Sequence, residues 1–254
     1  MGSPARAPAR AEKVTLESPK ATFAAWRKPA AGLALANRVG TAPFRVYGTV
    51  GDRSYRSVMT DTTAPIDAMA TEALGLFLAA VDQIRPESWD EPSNLGEWSV
   101  RDLVAHATGS ATKIVTHIEN GEIAPGPSDP ADWRYEDPAA QLRELAARLS
   151  DALPGADLDA PRASPEGEVP LRRALTFPVA DLILHSWDVH RSQGRLVELP
   201  EQALAFCRGL VESVPDHLLR RPGAFGPAQP VPENATPTAR LLAHLGRSVE
   251  PETR

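Results

Sequence analysis

The 254-residue sequence predicts an all-α fold, a four-helix bundle with an added C-terminal helix and a proline-rich strap. Three observations carry that prediction. Apolar residues recur at helical spacing in four long segments. Ser or Asp-Pro starts and Gly stops bound them. The stretch "RRPGAFGPAQPVPENATP", residues 220–237, holds too many prolines to be helical and is expected to cross the bundle as a strap.

The first helix is expected from Thr62 to about Ile84, where Ile66, Met69, Ala73, Leu74, Phe77, Leu78, Val81 and Ile84 share a face. After a loop through "PESWDEPSNLGEWS", Ser99 stands as an N-cap with Asp102 three residues on, close to a capping box, and a second helix runs to Asn120 with Gly121 as its stop. Asp137 and Pro138 open a third through "PAAQLRELAARLSDAL". Residues 154–170, rich in Pro, Gly and acidic side chains, read as a loop or a short irregular strand pair. The fourth helix is "PVADLILHSWDVHRSQG", Pro178 to Gly194, with Gly194 just past its end, and a fifth spans Pro200 to Val214. "TARLLAHLGR" forms a last short helix.

Composition bounds the class. A hydrophobic fraction of 42% and a formal charge of −6 suit a globular domain with a proper core. No run approaches the roughly 18 apolar residues of a membrane helix, and no apolar segment behind the basic N-terminus forms a signal sequence, so no membrane partner and a cytoplasmic location are expected. Cys207 is the only cysteine, which excludes an internal disulfide; within "EQALAFCRGLVESV" it reads as a core residue rather than a reactive thiol. There is no glycine-rich phosphate loop, no CxxC pair, no GxSxG elbow and no repeat at a solenoid period.

Charge divides the chain. Residues 1–58 hold 10 Lys and Arg against 3 Asp and Glu, leaving 17 against 30 for the rest. Without sustained periodicity and with several prolines, residues 1–58 are expected to be a basic, disordered extension ahead of a helical domain over 59–254. Met59 opens a stretch, "MTDTTAPIDAMATEAL", that reads as a protein start in its own right. The front segment lacks a dense basic block with interleaved aromatics, so no nucleic-acid partner is expected.

Candidate chemistry sits on two helices. Asp181 and His185 are four residues apart on the fourth, with Cβ atoms about 5–6 Å from each other. His106 lies beside the inward stripe of Val100, Leu103, Val104 and Ala107 on the second. If the two helices are neighbours, the three side chains converge. Two histidines and one carboxylate leave positions open on a metal, as catalytic sites do. Spacing alone leaves a second reading open, in which Asp181 and His185 form a buried hydrogen-bonded pair.

The segments "WDEPSNLGEWSVRDLVAHATGS" and "DLILHSWDVHRSQG" resemble the two motifs of the mycothiol-dependent maleylpyruvate isomerase N-terminal domain family, part of the DinB-like metal-binding helical bundles. The C-terminal stretch resembles an actinobacterial metal-binding branch of it. The resemblance spans residues 62–247 and implies a DinB-like bundle with His106, Asp181 and His185 as metal ligands. The isomerase uses glutamate as acidic ligand where this chain has Asp181, and carries a second C-terminal domain to which this sequence does not extend. Fold and metal site, rather than the maleylpyruvate substrate, are what it implies. The implied cofactors are a divalent transition metal, zinc first with nickel or iron also suited, and mycothiol; the implied partner is a small molecule, including a low-molecular-weight thiol, and the expected state a monomer or homodimer.

Asp102 and Asp188, one turn from His106 and His185, are candidates to accept the outer N–H of a ligand histidine. Asp102 competes with its capping role, and Asp188 with a pair to Arg191. Trp98 and Trp187 read as core or pocket-wall aromatics, and Arg172 and Arg173 as solvated charge or an attractor of anionic substrate. The expected activity is that of a transferase or isomerase acting on a small electrophile through a metal-held thiol or water. A metal enzyme of specialised metabolism without a thiol cofactor, and a non-catalytic metal-binding regulator, remain the alternatives.

Overall fold

The computed structural model describes residues 64–123, 126–164, 167–220 and 224–250. The basic segment 1–58 and Met59 lie outside the described residues. Helix α1 spans Ile66–Val81, α2 Val100–Ile118 and α3 Pro138–Ala152. A hairpin follows, β1 Pro161–Ser164 and β2 Gly167–Pro170, then a single turn, α4 Leu171–Ala174, leading into α5 Thr176–Ser192. Helix α6 is Glu201–Ser213, α7 Asp216–Leu219 and α8 Pro237–His244.

Start signals hold up at the atomic level. Ser99 Oγ accepts from the Asp102 N–H while the Asp102 carboxylate accepts from the Ser99 N–H, a full capping box at the head of α2. Asp137 accepts from the Ala140 N–H ahead of Pro138, and Thr236 from the Ala239 N–H ahead of Pro237. Some boundaries moved. Helix α1 begins at Ile66, directly after Pro65. Helix α2 ends at Ile118, and the left-handed residue that stops it is Asn120 at φ 62°, with the Gly121 N–H turning back to the Thr116 carbonyl. Helix α5 begins at Thr176, because Pro178 sits in its first turn, where a missing N–H costs nothing. Within the segment read as a loop or a short irregular strand pair, Pro161–Ser164 and Gly167–Pro170 pair antiparallel, Arg162 opposite Val169.

The bundle closes as a ring in which α1 and α2 each pack against both α5 and α3, while α6 lies outside on α5 and α8 on α6. Each long helix offers the stripe that its 3.6-residue period dictates: Met69, Leu74 and Phe77 from α1, Leu103 and Ile114 from α2, Leu142, Leu145 and Leu149 from α3, Leu182 and Trp187 from α5 are all essentially fully buried. Burial of each such side chain stabilises by about 1.5–3 kcal/mol. Trp187 is core, its indole N–H donating to the Val197 carbonyl at 3.1 Å.

Residues 224–236 of the strap form no helix or strand and are pinned to α8 by the Gln229 N–H on the Ala243 carbonyl. Gly246 then turns the chain at φ 88° with its Cα close against Gly226; a Cβ there would meet the Gly226 backbone at 2.8 Å. That turn aims Arg247 into the protein. Cys207 is buried in α6, and burial pushes its thiol up to about 12. Native protein at pH 8 is expected to resist iodoacetamide at Cys207, and to be alkylated once unfolded in guanidinium; rapid native alkylation, read by mass spectrometry, would contradict the packing of α6.

Candidate metal centre

Because α2 and α5 are neighbours in the ring, His106 and the Asp181–His185 pair meet. Nε2 of His106 lies 3.4 Å from Asp181 Oδ2, and Nε2 of His185 3.3 Å from Asp181 Oδ1. One ligand atom from each of the three falls within 4.8 Å of the other two. The imidazole rings stand edge to face with centroids 5.1 Å apart. Both histidines are buried, while the Asp181 side chain keeps 32% of its surface exposed, so the cluster opens to solvent at the carboxylate. The half-buried indole of Trp98 lies over His106 at 4.7 Å, a wall of the site rather than core.

The outer nitrogens decide the tautomers. His106 Nδ1 sits 2.6 Å from the carbonyl oxygen of Ser128, which can only accept, so Nδ1 carries the hydrogen and donates. His185 Nδ1 donates likewise to Asp188 Oδ2 at 2.9 Å. Each ring therefore turns its Nε2 toward the shared carboxylate, the orientation that metal-ligating histidines take when an acceptor holds the other nitrogen. The donor set fits a divalent ion of the zinc, nickel or iron kind. Without one, burial opposes a charged imidazole, yet the Asp181 and Asp188 carboxylates outweigh it and raise His185 to about 9. Burial also opposes ionisation of Asp181, but His185 and His106 hold it well below the usual carboxylate range.

Asp188 is fully buried and each of its oxygens has two donors. Oδ1 accepts from Asn94 Nδ2 at 2.8 Å and Arg247 Nε at 3.1 Å, and Oδ2 from His185 Nδ1 and from Arg247 Nη2 at 2.8 Å. Burial alone would raise its pKa; Arg247 and His185 instead hold it far below the usual range. Of the two readings of Asp188, the pair with Arg191 does not form; Asp188 pairs with Arg247 instead, and Arg191 reaches the carbonyls of Ser248 and Glu250. Asp102 does not serve His106. Its carboxylate is taken by the capping box and by Arg134, and the outer nitrogen of His106 faces Ser128 instead. Arg172 pairs with Asp159 on the surface, away from the cluster.

Four partners had no place in the sequence reading. Ser110 Oγ donates to Asp181 Oδ2 at 2.6 Å, and its position four residues after His106 was a usable signal. Asn94, the Ser128 carbonyl and Arg247 come from loops and the C-terminal segment, with no periodicity to announce them. Gly109 makes the Ser128 contact possible, since a Cβ there would stand 2.5 Å from the Ser128 side chain and 2.8 Å from Trp133. Gly109→Ala should push that segment off α2 and cost about 1–3 kcal/mol as overpacking. Thermal unfolding checks it: a variant as stable as the parent would mean that the segment moves freely.

Residues 70–190 match the model of the mycothiol maleylpyruvate isomerase N-terminal domain. This stretch is similar to that domain. The mycothiol maleylpyruvate isomerase N-terminal match contains His106, Asp181, His185 and Asp188, whereas Arg247 and the strap lie beyond it. Two proteins described as uncharacterized, from two strains of Mycobacterium tuberculosis, are each 29% identical over 181 residues, 68% of this chain and 92% of theirs. Among solved structures, the mycothiol-dependent maleylpyruvate isomerase is 17% identical with a TM-score of 0.43, and a histidine-to-alanine mutant of it 18% identical with a TM-score of 0.46. Each alignment covers 57% of this chain and 70% of the other. Among the described residues no helix is long and apolar enough to cross a membrane.

Proposed function

We propose that the chain is a divalent-metal-dependent enzyme of the DinB-like thiol-transferase and isomerase type, in which His106, Asp181 and His185 hold the ion and a small thiol, mycothiol in the first instance, meets a small electrophilic substrate. The observation that carries this reading is the orientation of the imidazoles: two Nε2 atoms directed at one carboxylate, with both Nδ1–H groups tied down behind them. The ion, zinc or else nickel or iron, would supply positive charge that lowers the pKa of a thiol or water placed on it.

The protein's own residues do the rest. Ser110 fixes the orientation of the Asp181 carboxylate by donating to Oδ2. Asp188 and the Ser128 carbonyl keep the proton of each histidine on Nδ1, away from the side that faces the cluster. Exposure at Asp181 leaves a way in for a small molecule, and Trp98 offers a flat apolar wall beside it.

Metal content of purified protein by plasma mass spectrometry, followed by calorimetric titration with mycothiol, tests the reading. About one equivalent of a transition metal and saturable thiol binding that disappears on chelation are the expected results. A folded protein that takes up no metal would refute it; metal without thiol binding would leave an enzyme acting through water or carbonyl polarisation.

A further inference from the structure

A second cluster of basic side chains lies about 16 Å farther along α2, eleven residues beyond His106. A cavity of about 610 Å³ opens there between the C-terminal end of α2 and β1, lined among others by His117, Asn120, Glu122 and Arg162. Its volume falls in the range of small-molecule sites. Arg162 is only 9% exposed, unusual for arginine without an acidic partner. Its Nε donates to the His117 carbonyl at 2.6 Å and its Nη1 to the Pro161 carbonyl at 2.9 Å, which caps the helix end. Among the described residues no carboxylate pairs with it: Glu119 is held by Arg148, and Glu122 stands exposed at the rim.

The imidazole beside it is equally short of partners. His117 is 8% exposed, and its Nδ1 is buried with no hydrogen-bond partner. Lys113, one turn back on the same face of α2, donates to the Gly126 carbonyl. Burial lowers the pKa of His117, and the positive charges of Arg162 and Lys113 add to that effect. A buried guanidinium and a partnerless imidazole thus line a cavity whose one lining carboxylate, Glu122, is exposed and makes no ion pair with Arg162.

We propose that this cavity binds a small oxyanion, a carboxylate or a phosphate, on Arg162 and His117. A guanidinium suits either group, since its remaining N–H groups fit the spacing of paired oxygens. The site is separate from the His106–Asp181–His185 cluster and stands whether or not that cluster holds a metal. Lys113 lies between the two, close enough for its charge to act on both His117 and Asp181.

The test is an NMR titration of the histidine side-chain resonances with inorganic phosphate and, separately, with succinate, each against chloride at equal ionic strength. The expected result is a saturable shift of His117, with His106 and His185 unmoved; which of the two anions produces it names the ligand class. Arg162→Met should raise the dissociation constant at least about tenfold. Should that variant fail to fold by circular dichroism, His117→Gln, which leaves the helix cap intact, should weaken binding of the same anion by a comparable factor in a calorimetric titration. Shifts that chloride reproduces, shifts at His106 or His185 in place of His117, or unchanged affinity in the folded variants would each overturn the proposal.

Discussion

Arg247→Met should destabilise the protein by about 3–5 kcal/mol, the cost of leaving a buried charge without its partner. The site of the loss is Asp188, which is fully buried and takes two of its four hydrogen bonds from the guanidinium. Urea unfolding should show a lower midpoint at unchanged m-value. The double variant Asp188→Asn, Arg247→Met removes both charges and should recover much of the stability, so the two substitutions should be strongly non-additive. The sign with pH follows from Asp188. Its folded pKa lies below its ordinary value of 3.8, so the stability it contributes is present above that value and is lost as pH falls through and below it. The penalty of Arg247→Met should therefore shrink in acid. A single-variant cost under about 1 kcal/mol at neutral pH would show that solvent reaches the carboxylate.

His185→Ala and Asp181→Ala should each abolish stoichiometric metal at purification. Structural zinc sites with four donors bind with apparent energies on the order of 10–16 kcal/mol, which puts one donor at about 3 kcal/mol or more and its loss at a hundredfold or more in affinity. Asp188→Asn should cost less, about 10–100-fold, because it keeps the ligand and loosens only what holds it. Competition with a chromophoric chelator measures all three. Equal losses at Asp181, His185 and Asp188 would place the effect in the fold rather than in the cluster.

Much of the architecture was legible because helices advertise themselves. The stripe of Met69, Leu74 and Phe77, the Ser99 box and the Asp137-Pro138 start are local signals, and local signals survive folding. His106 and the Asp181–His185 pair could be named as candidates, but spacing within a helix says nothing about which helices are neighbours; that α2 meets α5 is a matter of bundle topology. The proximity of Asp188 to His185 was visible as an i,i+3 relation. Arg247 was not, since at the end of a short amphipathic segment it looks like any surface cation, and only the turn at Gly246 makes it a core residue. A backbone acceptor such as the Ser128 carbonyl has no side chain to betray it. Where the reading of Asp102 as a partner for His106 failed, the reason was competition: a capping box and Arg134 had already claimed its oxygens.

The carboxylate behind His185 draws its donors from positions 94, 185 and 247, so contacts 94 and 59 residues away must both form before it is satisfied. Chains emerge from the ribosome N-terminus first, and helices α1 to α5 can collapse while Arg247 is still unsynthesised. During that interval Asp188 lacks the two hydrogen bonds of the guanidinium, and the acceptor of His185 is less firmly held. The cluster therefore cannot be complete until Arg247 has been made and has docked, later than the three candidate ligands that its contacts hold in order.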